Sequence, residues 1–275
     1  MTDSAPNIAI FCDYENVALG ARDARYEAFE IQLVLERLLD KGKIVVKKAY
    51  SDWERYKSAR RPLHEAGFEL IEIPHVSYSG KNSADIRLVV DALDLCYTKS
   101  HVDVFVVVSG DSDFSPLVSK LRENDKTVIG IGVKNSSSDL LIVSCDEFIL
   151  YDDLVRDQKR ERARTKAPVE GKRAKPSQDK KKAAEEDPEL DKRRIEGLSF
   201  ILDVLDGLFR DRDDSIWGSM VKQTLKRKRP SFNESFHGYR SFNEMLEDAE
   251  TRGLLELQKD ERSGGYVILG FGPKA

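Results

Sequence analysis

Cysteine is scarce: the chain of 275 residues has three, Cys12, Cys96 and Cys145. An odd count with no CxxC spacing gives no basis for a disulfide framework or a cysteine zinc site. Each lies in an apolar segment, so buried free thiols are expected. The four histidines, His64, His75, His101 and His237, are scattered, and no HExxH spacing occurs, which removes the common histidine metal motifs. No run of about 18 apolar residues exists, so no membrane span is expected. The opening MTDSAPNIAIF lacks the basic start and apolar core of a secretory signal. A cytoplasmic protein is the expectation.

What is present is apolar material and charge, 40% hydrophobic and 34% charged residues. That suffices for one large or two small cores plus a solvated segment. The net charge of -4 conceals a contrast: Arg156 to Lys182 holds twelve Lys/Arg against four Asp/Glu, a net +8, which leaves the remainder near -12. A basic strip on an acidic protein suits a polyanion partner or a solvated linker.

Residues 7 to about 155 alternate two patterns. IAIFC (8–12), KIVVKKAYSD (43–52), FELIEIP (68–74), VDVFVVVSG (102–110) and KTVIGIGV (126–133) read as strands. Between them, 27–40, 58–67, 84–97 and 115–123 read as helices, with Gly42 and Gly67 as stops and Ser83 as a cap. On the helix 84–97, Ile86, Val89, Val90, Leu93 and Cys96 are expected to form the buried stripe. A further helix or strand reaches Tyr151. The expected fold class is α/β, a mostly parallel sheet of five to six strands between helices. Residues 156–194, with Pro168, Pro176 and Pro188 and almost no large apolar residue, read as a basic linker, disordered or partly helical. From 195 onward come three helical patterns (194–209, 217–228, and one within 236–253) and a hairpin pattern over 254–269 with Gly264-Gly265 near its turn. That is the order of a winged helix-turn-helix. The division expected is therefore 1–155, 156–194 and 195–275.

Carboxylates collect where such a sheet binds ligands, at the carboxyl ends of its strands. Asp13 follows the first strand, Asp111 and Asp113 follow the fourth, and Asp85 opens the helix before that fourth strand. Asn16 is near enough to join them. Grouped carboxylates repel, and oxygen donors favour Mg²⁺ or Mn²⁺, an ion able to activate water against a phosphodiester. Each residue also has an ordinary explanation: Asp13 a turn, Asp85 a favourable place on a helix dipole, Asp113 a cap for the helix at Ser115.

The segments IAIFCDYENV, KNSADIRLVVDAL, VVVSGDSDFSPLV and GIGVKNSSSDLLIVSCDEFI, in that order, resemble the NYN domain, a branch of the PIN-like fold, and its LabA-like group. The resemblance implies a Rossmann-like, metal-dependent ribonuclease fold whose acidic set falls on Asp13, Asp85, Asp111 and Asp113, with Asn16 contributing. Asp91 also matches a recurrent aspartate, but helical spacing sets it on another face from Asp85. Residues 195–270, through WGSMVKQTLKRKRPSFNESFHGYRSFNEMLEDAETRGLLEL and GGYVIL, resemble an OST-HTH or LOTUS domain, which implies RNA binding or protein docking.

Cations in KQTLKRKRP, Lys222, Lys226, Arg227, Lys228 and Arg229, are candidates for phosphate contact, with the solvated end of a helix as the plain reading. Lys81 and Lys134 stand in loops on the expected site side. Tyr239 is a candidate to stack on bases, as are Phe232 and Phe236, while Phe242 reads as core. The expectation is thus a divalent-metal-dependent ribonuclease, hydrolysing phosphodiesters with metal-activated water and recruiting RNA through its C-terminal module. The rival is a non-catalytic RNA-binding adaptor. A haloacid-type phosphatase fits poorly, because Asp13-Tyr14-Glu15 is not the DxD it needs. A protein partner for the C-terminal module and a homo-oligomer are left open.

Overall fold

Strands form where apolar residues run without interruption. In the computed structural model, which describes residues 5–73, 83–165, 188–211, 215–260 and 264–275, all five residues of Val104–Val108 are buried, as expected of a strand covered on both faces. The chain divides into two compact units, Met1–Lys159 and Arg160–Ala275.

In the first unit β1 (Asn7–Asp13) leads directly into α1 (Tyr14–Asp23). Then come α2 (Ile31–Leu39), β2 (Lys43–Ser51), α3 (Lys57–Glu65), β3 (Glu69–Glu72), α4 (Ser83–Thr98) and β4 (Val104–Val108). The unit continues through α5 (Ser115–Glu123), β5 (Thr127–Gly132), α6 (Asp139–Ser144) and β6 (Glu147–Leu150) into α7 (Tyr151–Thr165). The sheet is six-stranded in the order β3-β2-β1-β4-β5-β6, and every pair is parallel. This bears out the α/β class. The order reverses between β1 and β4, the switch point where open α/β sheets bind ligands.

Alternate residues of β1 and β4 feed two cores. Ile8, Ile10 and Cys12 join Val104, Val106 and Val108 on one face of the sheet, with Val17, Val34, Leu38 and Leu63 of the helices above them. Ala9 and Phe11 join Phe105 and Val107 on the other, with Leu88, Leu117, Leu121 and Leu141. The three cysteines are buried and free, as expected.

Two local expectations need correction. The inner side of α4 is Leu88, Ala92 and Cys96, while Ile86 and Val90 are 63% and 55% exposed. The rotation is set by Asp91. Its carboxylate accepts from the Tyr50 hydroxyl at 2.9 Å and pairs with Lys48 at 3.3 Å and Arg87 at 3.1 Å. That polar anchor pulls the 88–92 side inward, and the small Ala92 permits the close approach. Second, Ser83 is itself helical, within α4, rather than a non-helical cap before it. Gly67 and Gly253 end their helices at positive φ, 77° and 76°, a conformation glycine adopts without cost.

The second unit comprises α8 (Pro188–Asp211), β7 (Ile216–Trp217), α9 (Gly218–Lys228), α10 (Phe242–Thr251), β8 (Leu255–Lys259) and β9 (Tyr266–Phe271). Its helices enclose Leu198, Ile201, Leu205, Val221, Leu225, Met245 and Leu246 against the sheet residues Ile216 and Ile268. The sheet has three strands, β7-β9-β8, all antiparallel. β7 is too short for its pattern to have marked it as a strand. The helix–strand–helix–helix–hairpin order is that expected of a winged helix. α7 and α8 make both flanks of the basic stretch helical, and residues 166–187 lie outside the described residues.

Candidate metal centre

The parallel register builds the site. Cys12 of β1 stands beside Val108 of β4, so the next residues, Asp13 and Ser109, emerge side by side. The Ser109 hydroxyl donates to Asp13 Oδ2 at 3.1 Å and accepts from the Asp111 backbone N–H at 3.2 Å. Ser109 is fully buried and ties the two strand ends together. Asp13 also caps α1: its Oδ1 accepts from the Asn16 N–H at 3.3 Å. The turn reading of Asp13 therefore becomes a helix cap.

Asp111 starts a short 3₁₀ turn, Ser112–Phe114, by accepting from the Asp113 N–H at 3.0 Å. Asp113 is exposed in that turn, and Phe114, not Asp113, precedes α5. Asp85 lies in the first turn of α4. The structure thus gathers Asp13, Asp85, Asp111 and Asp113 from three separate chain segments around the switch point.

Their mutual repulsion is visible in their proton affinities. Burial first, then Asp85, raises Asp13 to about 7, against the opposing hydrogen bonds from Asn16 and Ser109. Burial first, then Asp111, Asp113 and Glu15, raises half-buried Asp85 to about 6. Among the described residues no cationic side chain opposes either shift. Concentrated, uncompensated negative charge on hard oxygen donors fits a divalent cation. Among the described residues no three His, Cys, Asp or Glu side chains stand together so as to hold a metal ion, so an ion here would keep several waters, as Mg²⁺ does.

Asn16 has a different part from the one expected of it. Its Oδ1 accepts from the Gly110 N–H at 2.8 Å, so it fixes the backbone that carries Asp111. Gly110 has no room for a side chain, because a Cβ there would overlap the Ser136 carbonyl. Its own carbonyl accepts from Ser138 N at 2.8 Å. The turn Lys134–Ser136 is thereby held beside the site, with Lys134 exposed on it. Lys81 lies outside the described residues. Two participants escaped the sequence reading: Ser109, legible only once β1 and β4 are known to be neighbours, and Glu15, whose charge reaches Asp85 while it pairs with Arg55 at 3.2 Å.

Replacing Ser109 with Ala should leave a buried Asp13 oxygen without its donor. Affinity for a divalent ion at this site is expected to fall roughly 10–100-fold, the usual cost of losing an outer-shell partner. Melting temperature followed across a Mn²⁺ titration checks this.

The NYN domain family model matches residues 7–152, more than half of the chain. The chain belongs to the NYN domain family. It carries the PIN-like, nuclease-type fold of that family, whose members act on or bind RNA. A crystal structure of a protein of unknown function from Vibrio parahaemolyticus, VPA0982, is similar to this NYN protein at 29% identity and a TM-score of 0.50. The match covers 56% of this chain and 98% of that one. No curated protein matches. Among the described residues, no helix is long and apolar enough to cross a membrane.

In the second unit the expected RNA contacts separate. Tyr239 is buried, and its hydroxyl donates to Asp248 at 2.6 Å, so it is a core residue and is not available to stack on a base. The hydroxyl finds its partner inside, as buried tyrosines do. Phe232 and Phe242 are core as well. Lys226, Arg227 and Lys228 occupy the last turn of α9 and Arg229 is its C-cap, with the Arg229 guanidinium 3.7 Å from the Phe200 ring centre. Lys222, one turn earlier than Lys226, pairs with Glu234 at 2.7 Å.

Proposed function

We propose that this NYN protein is a divalent-metal-dependent ribonuclease. The observation that carries the reading is the gathering of Asp13, Asp85, Asp111 and Asp113 at the sheet's switch point with no described cation to balance them. Asp13 and Asp111, fixed by Ser109, Asn16 and the two strand ends, would hold Mg²⁺ or Mn²⁺ most rigidly. Asp85 and exposed Asp113 complete the ligands directly or through water. The ion would supply an activated water and neutralise charge developing on the phosphate. Lys134 on the neighbouring turn offers a contact to the RNA backbone.

The C-terminal unit is read as an OST-HTH, or LOTUS, module that recruits RNA. Its support is the element order and the cationic last turn of α9. Neutralising Lys226, Arg227 and Lys228 together to Gln should weaken RNA binding without altering sequence preference. The slope of log affinity against log salt should fall by about 1 for each phosphate that the variant no longer neutralises. Filter binding across a salt series measures this, and an unchanged slope would remove these residues from the interface.

The test of the nuclease reading is cleavage of end-labelled single-stranded and structured RNAs in Mn²⁺, Mg²⁺ or EDTA. RNA binding without cleavage under any metal would favour the adaptor instead.

A further inference from the structure

The second unit contains a cavity that the nuclease chemistry does not use. It has a volume of about 510 Å³ and opens where α9, α10 and β9 begin. Its walls include Trp217, Phe242 and Tyr266, with Ser219, Lys222 and Asn243 among the polar groups. The volume lies within the range of small-molecule sites, and aromatic walls with a few polar groups are their usual lining. Phe242 and Tyr266 are buried supports. Trp217 is different: a large indole left 38% exposed.

Lys222 brings charge to this cavity. Its ammonium reaches Glu234 at 2.7 Å and lies 6.0 Å from the Phe242 ring centre. The contact is an ion pair, with Glu234 Oε1 left without a hydrogen-bond partner among the described residues, so the ammonium keeps donors for an anion. Lys222 also begins a line of cations. Lys226 follows at i+4, on the same helix face, so positive charge runs from the cavity along α9, while Arg229, the non-helical C-cap, packs its guanidinium on Phe200. The other helix at the cavity, α10, is acidic, with Glu244, Glu247, Asp248 and Glu250, and so disfavours a polyanion.

We infer that this cavity takes one nucleotide of single-stranded RNA, its base against Trp217 and its phosphate at Lys222, with the strand continuing past Lys226. The inference rests on the reading of this unit as an RNA-binding module and gives that module its site. An exposed aromatic face beside a cationic track is the arrangement that binds single strands with little sequence preference. Two cations one helical turn apart, Lys222 and Lys226, match a repeating anion better than they match a peptide with a single acidic group.

The test uses the full chain in EDTA and an end-labelled single-stranded oligoadenylate. The chain has two tryptophans, and Trp53 is buried at 1% exposure, so quenching of indole emission by RNA reports on Trp217. Quenching is expected in the native chain and absent in Trp217→Phe. Trp217→Ala should weaken binding about tenfold, within the range for one stacked base. Lys222→Gln should lower the salt slope by about 1. Ser219→Trp, which fills the cavity from an exposed position, should weaken binding as much as Trp217→Ala, with melting curves of all variants recorded beside them. If Trp217→Ala and Ser219→Trp bind like the native chain while Lys226→Gln with Arg229→Gln weakens binding, the cavity assignment is overturned and the RNA-binding module stands. If none of these changes matters, the module reading fails and the cavity falls with it. Quenching by an oligoglutamate peptide but not by RNA would overturn the assignment in favour of an acidic peptide.

Discussion

Asp13→Asn is expected to lower metal-dependent RNA cleavage by more than about 100-fold, a larger loss than that from an outer-shell partner, while the metal-free protein melts at the native temperature or above it. The two halves of this result have one cause. Asp13 is 6% exposed, and its charge is opposed by burial and by neighbouring Asp85 and Asp111. An amide of the same shape still accepts from the Asn16 N–H and still meets the Ser109 hydroxyl, which can turn to accept. It removes the repulsion and the metal affinity together. Such a trade of stability for activity is common at functional sites. Thermal melts and single-turnover cleavage on the same preparations check it. A variant that loses both activity and stability would mean that Asp13 is chiefly a helix cap.

The second large effect is on stability against pH. Asp13 is raised to about 7 and Asp85 to about 6 from an ordinary 3.8. The folded state therefore binds protons that the unfolded chain releases. For a raised carboxyl group the stabilisation is fully present below the unfolded value, and it is lost as pH rises through the folded one. From these two groups the metal-free protein should lose stability as pH climbs from about 4 to about 7, most steeply at about pH 5, where both carboxyls are protonated only in the folded state, and level off above that. Mn²⁺ should reverse the loss at pH 8, since an ion that binds only the folded state stabilises it by mass action. Melting temperatures at several pH values, with Mn²⁺ and with EDTA, measure both. The pH effect should shrink in Asp13→Asn. A native chain whose melting is independent of pH over that window and indifferent to Mn²⁺ would contradict the electrostatic account.

The parallel sheet was legible because its strands are short and almost wholly apolar, and β4 ends abruptly on Ser109, Gly110 and Asp111. Asp13 and Asp111 stood out for a related reason, since each closes or soon follows a buried strand. α1 was not legible, because its buried side is built from Tyr14, Val17, Gly20 and Ala21, too small a stripe to show a period. The rotation of α4 was misread because a count of large apolar residues overlooks Ala92 and cannot foresee that Asp91 finds Tyr50 and Lys48 on β2. Ser109 and Asn16 acquire their parts only from the adjacency of β1 and β4, which one sequence does not state. Tyr239 looked like a base-stacking residue because nothing local reveals Asp248 as the partner of its hydroxyl.

In the first unit, the charge gathered at the switch point is proposed to hold a divalent ion for phosphodiester cleavage. The most direct test of this is cleavage of an end-labelled RNA by the native chain and by Asp111→Asn, each in Mn²⁺ and in EDTA. The account predicts cleavage by the native chain in Mn²⁺ alone, and none by the variant although it stays folded and still binds RNA. Equal cleavage by both proteins, or cleavage that persists in EDTA, would contradict it.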